Sequence, residues 1–144
     1  MKSIIFFIVF SFSGVLIAQE TSPKQIVDDF FIAFHAKDTL SLKQICHSDI
    51  KMRTIANTKD GNKLVEEDFN EFLKSIASIP SSMIFFEKLM DYKVEIDGNL
   101  AHVWTPYEFY VNDKISHIGA NAFTLYNDNG KWLIIHLIDT RRKK

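Results

Sequence analysis

The chain has 144 residues, enough for one domain with its own core and too few for two of ordinary size. Seventeen Lys and Arg against 18 Asp and Glu leave a net charge of −1, and nothing in that balance suggests nucleic acid, whose binding needs a concentrated basic face. The one cysteine, Cys46, excludes an intramolecular disulfide, so the core alone must stabilise the fold.

The first residues read as an address. Met1-Lys2 gives a positive start, Ile4 to Ile17 is apolar apart from Ser and Gly, and Ala18 is small enough for a signal-peptidase site, although Leu16 at −3 is less typical than Ala. The run falls short of the ~20 apolar residues of a spanning helix, so cleavage is favoured over an uncleaved anchor. No cysteine follows Ala18, so lipid attachment is not indicated. The expectation is an exported chain, periplasmic or secreted: a signal peptide at 1–18, then one domain at 19–144 with 16 basic and 18 acidic residues and no membrane attachment. The closing Arg141-Arg142-Lys143-Lys144 reads as a solvated tail, and Cys46, after Ile45, as a small buried hydrophobe.

Helices come first. Ser22-Pro23-Lys24-Gln25 fits a capping box, and Ile26, Val27, Phe30, Phe31 and Phe34 follow at helical spacing as one wide stripe that needs a sheet to cover. Asp38 or Thr39 can cap a short second helix through Leu40, Leu42 and Ile45. Asp49 to Ile55 alternates as a short strand, and Lys59-Asp60-Gly61-Asn62 is a turn. A third helix is expected from about Glu66 to Ser78, with stripe Phe69, Phe72, Leu73, Ile76, and Pro80 closes the helical section. Beyond it the period becomes two. Met90, Tyr92, Val94 and Ile96 alternate with charged residues, and Asp97-Gly98 turns into a strand over Leu100–Val111. Two more strands follow, after Asn112-Asp113-Lys114 and after Asn127–Gly130.

Register decides which side chains share a face. Across the last hairpin, a two- or four-residue loop puts Leu125, Phe123, Asn121 and His117 with Trp132, Ile134, His136, Ile138 and Thr140. The opposite face then carries Ile118, Ala120, Ala122 and Thr124 with Ile135, Leu137, Asp139 and Arg141, and its small alanines can admit a helix or a partner subunit. A three-residue Asn112–Lys114 loop adds Val103, Thr105, Tyr107 and Phe109 to the first face. A two-residue loop would substitute His102, Trp104, Glu108 and Tyr110. The first makes the shared face more apolar and is preferred.

Three stretches, W104-T-P-Y-E-F-Y, H117-I-G-A-N-A-F-T-L and N129-G-K-W-L-I-I-H, together with the helical first half, carry a family resemblance. Over about residues 22–141 the chain resembles the nuclear transport factor 2-like (NTF2-like) superfamily, the cone fold of steroid isomerase-like and SnoaL-like proteins. The resemblance implies an α+β domain with its N-terminal helices packed in the concavity of a curved, mostly antiparallel sheet. It also implies a mostly apolar pocket, and homodimers through the outer sheet face. It transfers no function, because the fold hosts isomerases, dehydratases, cyclases, transport factors and non-catalytic modules. Where steroid isomerase-like members place a tyrosine on the first helix, this chain has Phe30, Phe31 and Phe34. Dehydratase-like members combine His with Asp; His117 or His136 can supply the first, and no aspartate is assigned. Asp49, before the first strand, reads as a cap or solvated turn.

The pocket candidates are therefore Tyr107, His117, Asn121, Phe123, Ile134 and His136. An imidazole in an apolar pocket can move a proton or hydrogen-bond a carbonyl, and Tyr107 can donate a phenolic hydrogen bond. A metal site built from His102, His117 and His136 is not expected, since the register separates His102 and no acidic partner is evident. No cofactor is expected. His35 and His47, at helix ends, are explained by the helix dipole. Two readings stand: a non-catalytic module binding a small apolar or amphipathic molecule, and an acid–base isomerase or dehydratase acting on a cyclic or carbonyl metabolite. A carboxylate within hydrogen-bond reach of His117 or His136 inside the cavity would favour the second.

Overall fold

The computed structural model describes residues 21–144, so the expected signal peptide and its cleavage site lie outside the described residues. The elements run α1 (Pro23–His35), α2 (Thr39–Ile45), β1 (Cys46–Thr58), β2 (Gly61–Glu67), α3 (Phe69–Ser78), β3 (Phe85–Leu89), β4 (Lys93–Asp97), β5 (Leu100–Val111), β6 (Lys114–Asp128) and β7 (Lys131–Arg141). The strands form one sheet in the order β2-β1-β7-β6-β5-β3, with β4 on the free part of the β5 edge. Among the described strands only β1 and β7 run parallel. The fold is the expected helix-first, meander-last α+β arrangement. Among the described residues no helix is long and apolar enough to cross a membrane.

Local chemistry sets the helix boundaries. The Ser22 hydroxyl accepts from the Gln25 N–H at 3.2 Å, but the Gln25 side chain turns to Asp29 instead, so half of the capping box forms. Asp38 caps α2 through the amides of Leu40 and Ser41. Asp68 caps α3, which starts two to three residues later than the sequence suggests because Glu66 and Glu67 extend β2. The Ile26, Val27, Phe30, Phe31 stripe of α1 is buried against β5, β6 and β7, where Phe30 and Phe31 meet the Phe123 ring at 5.6 and 5.9 Å. Cys46 belongs to this core, and burial pushes its thiol up to about 12.

Two bulges govern the meander. The β5–β6 loop is the two-residue turn Asn112-Asp113, both at positive φ, and not the preferred three-residue loop. The preferred face nevertheless results, because Ser116 is an extra residue in β6: Tyr110 pairs with Ile115 and Phe109 with His117. In β7 the effect is opposite. Leu125 pairs with Ile134 but Thr124 with His136, leaving Ile135 unpaired. The expected alternation holds for Trp132 and Ile134 and then reverses. Leu137, Asp139 and Arg141 share the concave face with Phe123 and Asn121, and His136, Ile138 and Thr140 leave it.

One strand, β3, is absent from the sequence reading. Phe85-Phe86-Glu87-Lys88-Leu89 does alternate, but with Phe86 exposed and Glu87 buried, which inverts the usual pattern.

Candidate functional site

The sheet and helices enclose a cavity of about 310 Å³. Its walls are apolar: Phe30, Phe31 and Phe34 come from α1, Phe72 and Ile76 from α3, and Phe85 and Phe109 from the sheet. Its floor is polar and is supplied by three neighbouring strands and the β3 edge. Concave positions on β5, β6 and β7 bring Tyr107, Asn121 and Asp139 together, and β3 adds Glu87.

Two hydrogen-bonded groups occupy that floor. In the first, Asn121 Nδ2 donates to Glu87 Oε1 at 2.6 Å, with both residues buried. Glu87 is 9% exposed, and its carboxyl is pushed up to about 7, chiefly by burial; the Asn121 hydrogen bond opposes the shift and the charge of Asp139 adds to it. The Glu87 backbone N–H points off the sheet edge and donates to His35 Nε2 at 2.9 Å, so His35 takes the tautomer with its proton on Nδ1. Burial lowers the pKa of His35, which keeps that acceptor available.

In the second group Asp139 is the hub. It accepts from Thr54 Oγ1 at 2.5 Å and from Arg141 Nε at 2.9 Å. The Tyr107 hydroxyl lies 3.2 Å from Asp139 Oδ2 and 2.9 Å from the Thr140 carbonyl oxygen, and its one proton serves the two acceptors. Burial, then the charges of Asp139 and Glu87, raise the Tyr107 pKa, so the phenol stays neutral. Glycine at 119 makes room for this ring. A Cβ there would lie 2.7 Å from Tyr107 ring atoms and 1.8 Å from the Thr140 carbonyl oxygen.

The sequence-derived candidates divide. Tyr107, His117 and Asn121 line the cavity. Phe123 and Ile134 lie beneath it, fully buried in the core against α1. His136 is corrected: the Ile135 bulge turns it to the outer face, where it shares its surroundings with His102 and Arg53, and its Nε2 is buried without a hydrogen-bond partner. His117 thus stands alone among the three meander histidines on the concave face. Its ring stacks on Phe109 at 4.8 Å, and its Nδ1 lies 3.2 Å from Ser116 Oγ. Burial, then the Arg141 charge, lowers its pKa.

No carboxylate bonds to His117 or His136 among the described hydrogen bonds; the cavity acids bond to Asn121, Thr54, Tyr107 and Arg141 instead. Nor do the described residues bring three His, Cys, Asp or Glu side chains together as a metal site. The sequence reading missed Glu87, Asp139, Arg141 and Thr54. The signal for Glu87 was present as an acid in phase with Phe85 and Leu89, whereas Asp139 was hidden by the bulge.

A chain with these helices, this strand order and this cavity has the NTF2-like fold. Solved structures agree over most of the chain. An NTF2-like protein from Cytophaga hutchinsonii superposes with a TM-score of 0.66 at 15% identity, covering 83% of this chain and 94% of that one. A candidate dehydratase of the NTF2-like family from Streptomyces avermitilis gives 0.63 at 13% identity, with 84% and 94% covered. The β subunit of a candidate aromatic-ring-hydroxylating dioxygenase from Novosphingobium aromaticivorans gives 0.69 at 8% identity, with 87% and 90% covered. These likenesses establish the fold and leave the activity open. No family model matches the sequence, and no curated protein matches it.

Proposed function

We propose that the protein binds a small, mostly apolar molecule with one polar end in the cone cavity, without catalysing its reaction. The observation that carries this reading is a cavity of about 310 Å³ with phenylalanine walls and a buried polar floor centred on Glu87–Asn121 and Tyr107–Asp139. Such a site takes an apolar body by removing it from water and orients it through a few fixed polar groups. The test is a thermal-shift screen of small hydrophobic ligands, with mass spectrometry of whatever co-purifies. Ligands raise the melting temperature by mass action, and Phe34→Trp, which fills the cavity, abolishes the shift. A library without a single hit, or hits indifferent to Phe34→Trp, would refute the pocket.

One observation favours a second reading, an acid–base isomerase or dehydratase acting on a cyclic or carbonyl metabolite. The buried Glu87 carboxyl titrates at about 7, where a group can both take and return a proton near neutral pH. Incubating cyclic ketones in D₂O separates the readings: exchange of α-protons that Glu87→Gln eliminates supports catalysis, and no exchange above the buffer rate excludes it.

We infer also that the chain is exported with residues 1–18 removed, on the strength of the apolar run and Ala18. N-terminal mass mapping of the protein from cell fractions tests this. The outer sheet face is our proposed homodimer surface, supported by exposed Trp104, the partly exposed Ile138 and the unpartnered His136 Nε2. Light scattering of wild type and Ala122→Arg decides it; a monomeric wild type would rule it out.

A further inference from the structure

Among the described residues the cavity contains one buried acid, Glu87, that makes no ion pair within contact distance. Asp139 is paired with Arg141 at 2.9 Å, and the Arg141 charge also acts at longer range on Glu67 at the cavity rim and on Glu87. Arg53 is taken by Glu66 at 3.1 Å. Glu87, 9% exposed, receives only the neutral Asn121 amide at Oε1, and its second oxygen takes no hydrogen bond from the described residues. The Arg141 charge reaches Glu87 from a distance and partly opposes the effect of burial, but it forms its ion pair with Asp139, and the remaining titratable groups facing Glu87 supply no positive charge. His117 on β6 has its pKa lowered, Tyr107 on β5 is held neutral, and His35 on α1 offers an acceptor to the Glu87 backbone. The nearest aromatic wall is dense: Phe34 lies 4.9 Å from Phe85, and Phe85 stacks on Phe109 at 6.0 Å.

We propose that the ligand of this cavity is a primary amine on an apolar, ring-sized body, its ammonium group on the free oxygen of Glu87 and its body among Phe34, Phe85 and Phe109. The inference rests on the pocket reading above and adds the chemical class of the ligand. An ammonium ion supplies the contact ion pair that Glu87 lacks, and the electron-rich ring faces attract it further once water is excluded. A carboxylate ligand would instead meet Glu87 and Asp139 as like charges. A neutral alcohol would gain one hydrogen bond and leave Glu87 without a contact ion pair.

Proton linkage gives the pairing a signature. The free protein holds a proton on Glu87 up to about pH 7, and the ammonium pairs with the ionised form. Amine affinity therefore rises as pH increases through about 7 and levels off while the amine stays protonated.

The experiment titrates the full chain by calorimetry with phenethylamine, 2-phenylethanol and phenylacetate, which share one body and differ in the polar end. The expected order at pH 8 is amine first, at least about tenfold tighter than the alcohol, with the acid weakest. Glu87→Gln brings amine affinity down to that of the alcohol and removes its pH dependence. Alcohol binding equal to or tighter than amine binding by wild type overturns the proposal whether or not the variant folds, and leaves the pocket standing. Amine binding unchanged in a folded Glu87→Gln protein also overturns it. If none of the three binds and the hydrophobic library also fails, the pocket reading falls, and this inference with it.

Discussion

Glu87 is a buried acid whose ionisation the fold opposes. Its pKa rises from an ordinary 4.5 to about 7, so between those values the folded protein keeps a proton that the unfolded chain releases. The sign follows directly: Glu87 contributes stability that is fully present below pH 4.5 and is lost as pH rises through about 7. Thermal denaturation of wild type and Glu87→Gln from pH 4 to 8 isolates it. The wild type should lose on the order of 3 kcal/mol relative to the variant across that interval. Parallel pH profiles would show that Glu87 ionises normally. Gly119 is a different kind of single-residue constraint. Its missing side chain is what lets Tyr107 lie flat enough to reach Thr140 and Asp139. Because the closest atom to an added Cβ is a backbone oxygen, no side-chain rotation relieves the clash. Gly119→Ala should cost at least about 2 kcal/mol in a urea titration, as overpacked sites do, and displace Tyr107. A variant of wild-type stability would mean that β6 and β7 can move apart.

At the scale of the element, the two bulges decide what the cavity contains. An in–out pattern read from a turn propagates only as far as the first extra residue. Ser116 restored the face expected for β5, and Ile135 reversed the outer half of β7. Trp132 and Ile134 were therefore legible, and Asp139 was not. Nothing in Leu133-Ile134-Ile135-His136 marks where a residue is skipped, because each of the three aliphatic side chains suits either face. The β3 strand was illegible for another reason. Its buried acid and exposed Phe86 contradict the rule by which strands are recognised, and that contradiction is itself the mark of a site. The bulge can be tested by deletion. Removing Ile135 leaves Ile134, Leu137 and Asp139 on the faces they now occupy. Removing Ile138 turns Asp139 and Arg141 outward and strips Thr54 and Tyr107 of their partner. Denaturation midpoints should place the second deletion several kcal/mol below the first; equal midpoints would refute the register.

For the whole molecule, the fold was legible because its largest signals are redundant. The α1 stripe, the turn residues and the closing meander each require a sheet wrapped on a helix, and the observed core of Phe30, Phe31, Phe123, Leu125 and Ile134 is where they converge. The cavity was less legible, since it depends on where that core stops. Phe123 and Ile134 fill the base of the cone completely, and the open volume begins beyond them, between α3 and the Glu87 edge. A list of concave residues cannot distinguish floor from foundation. Only the depth to which α1 sits in the sheet does so.

Cys46 has a consequence of its own. The thiol is 5% exposed, sits where α2 passes into β1, and pairs with Ile134 on the central parallel strand. With its pKa at about 12 and its sulfur covered, it is chemically silent as long as α2 stays seated. Since no other cysteine competes, the rate at which a thiol reagent modifies the native protein counts openings of that one corner. The chain thus carries a built-in clock for its own breathing. A ligand that enters the cone and braces the helices should slow it.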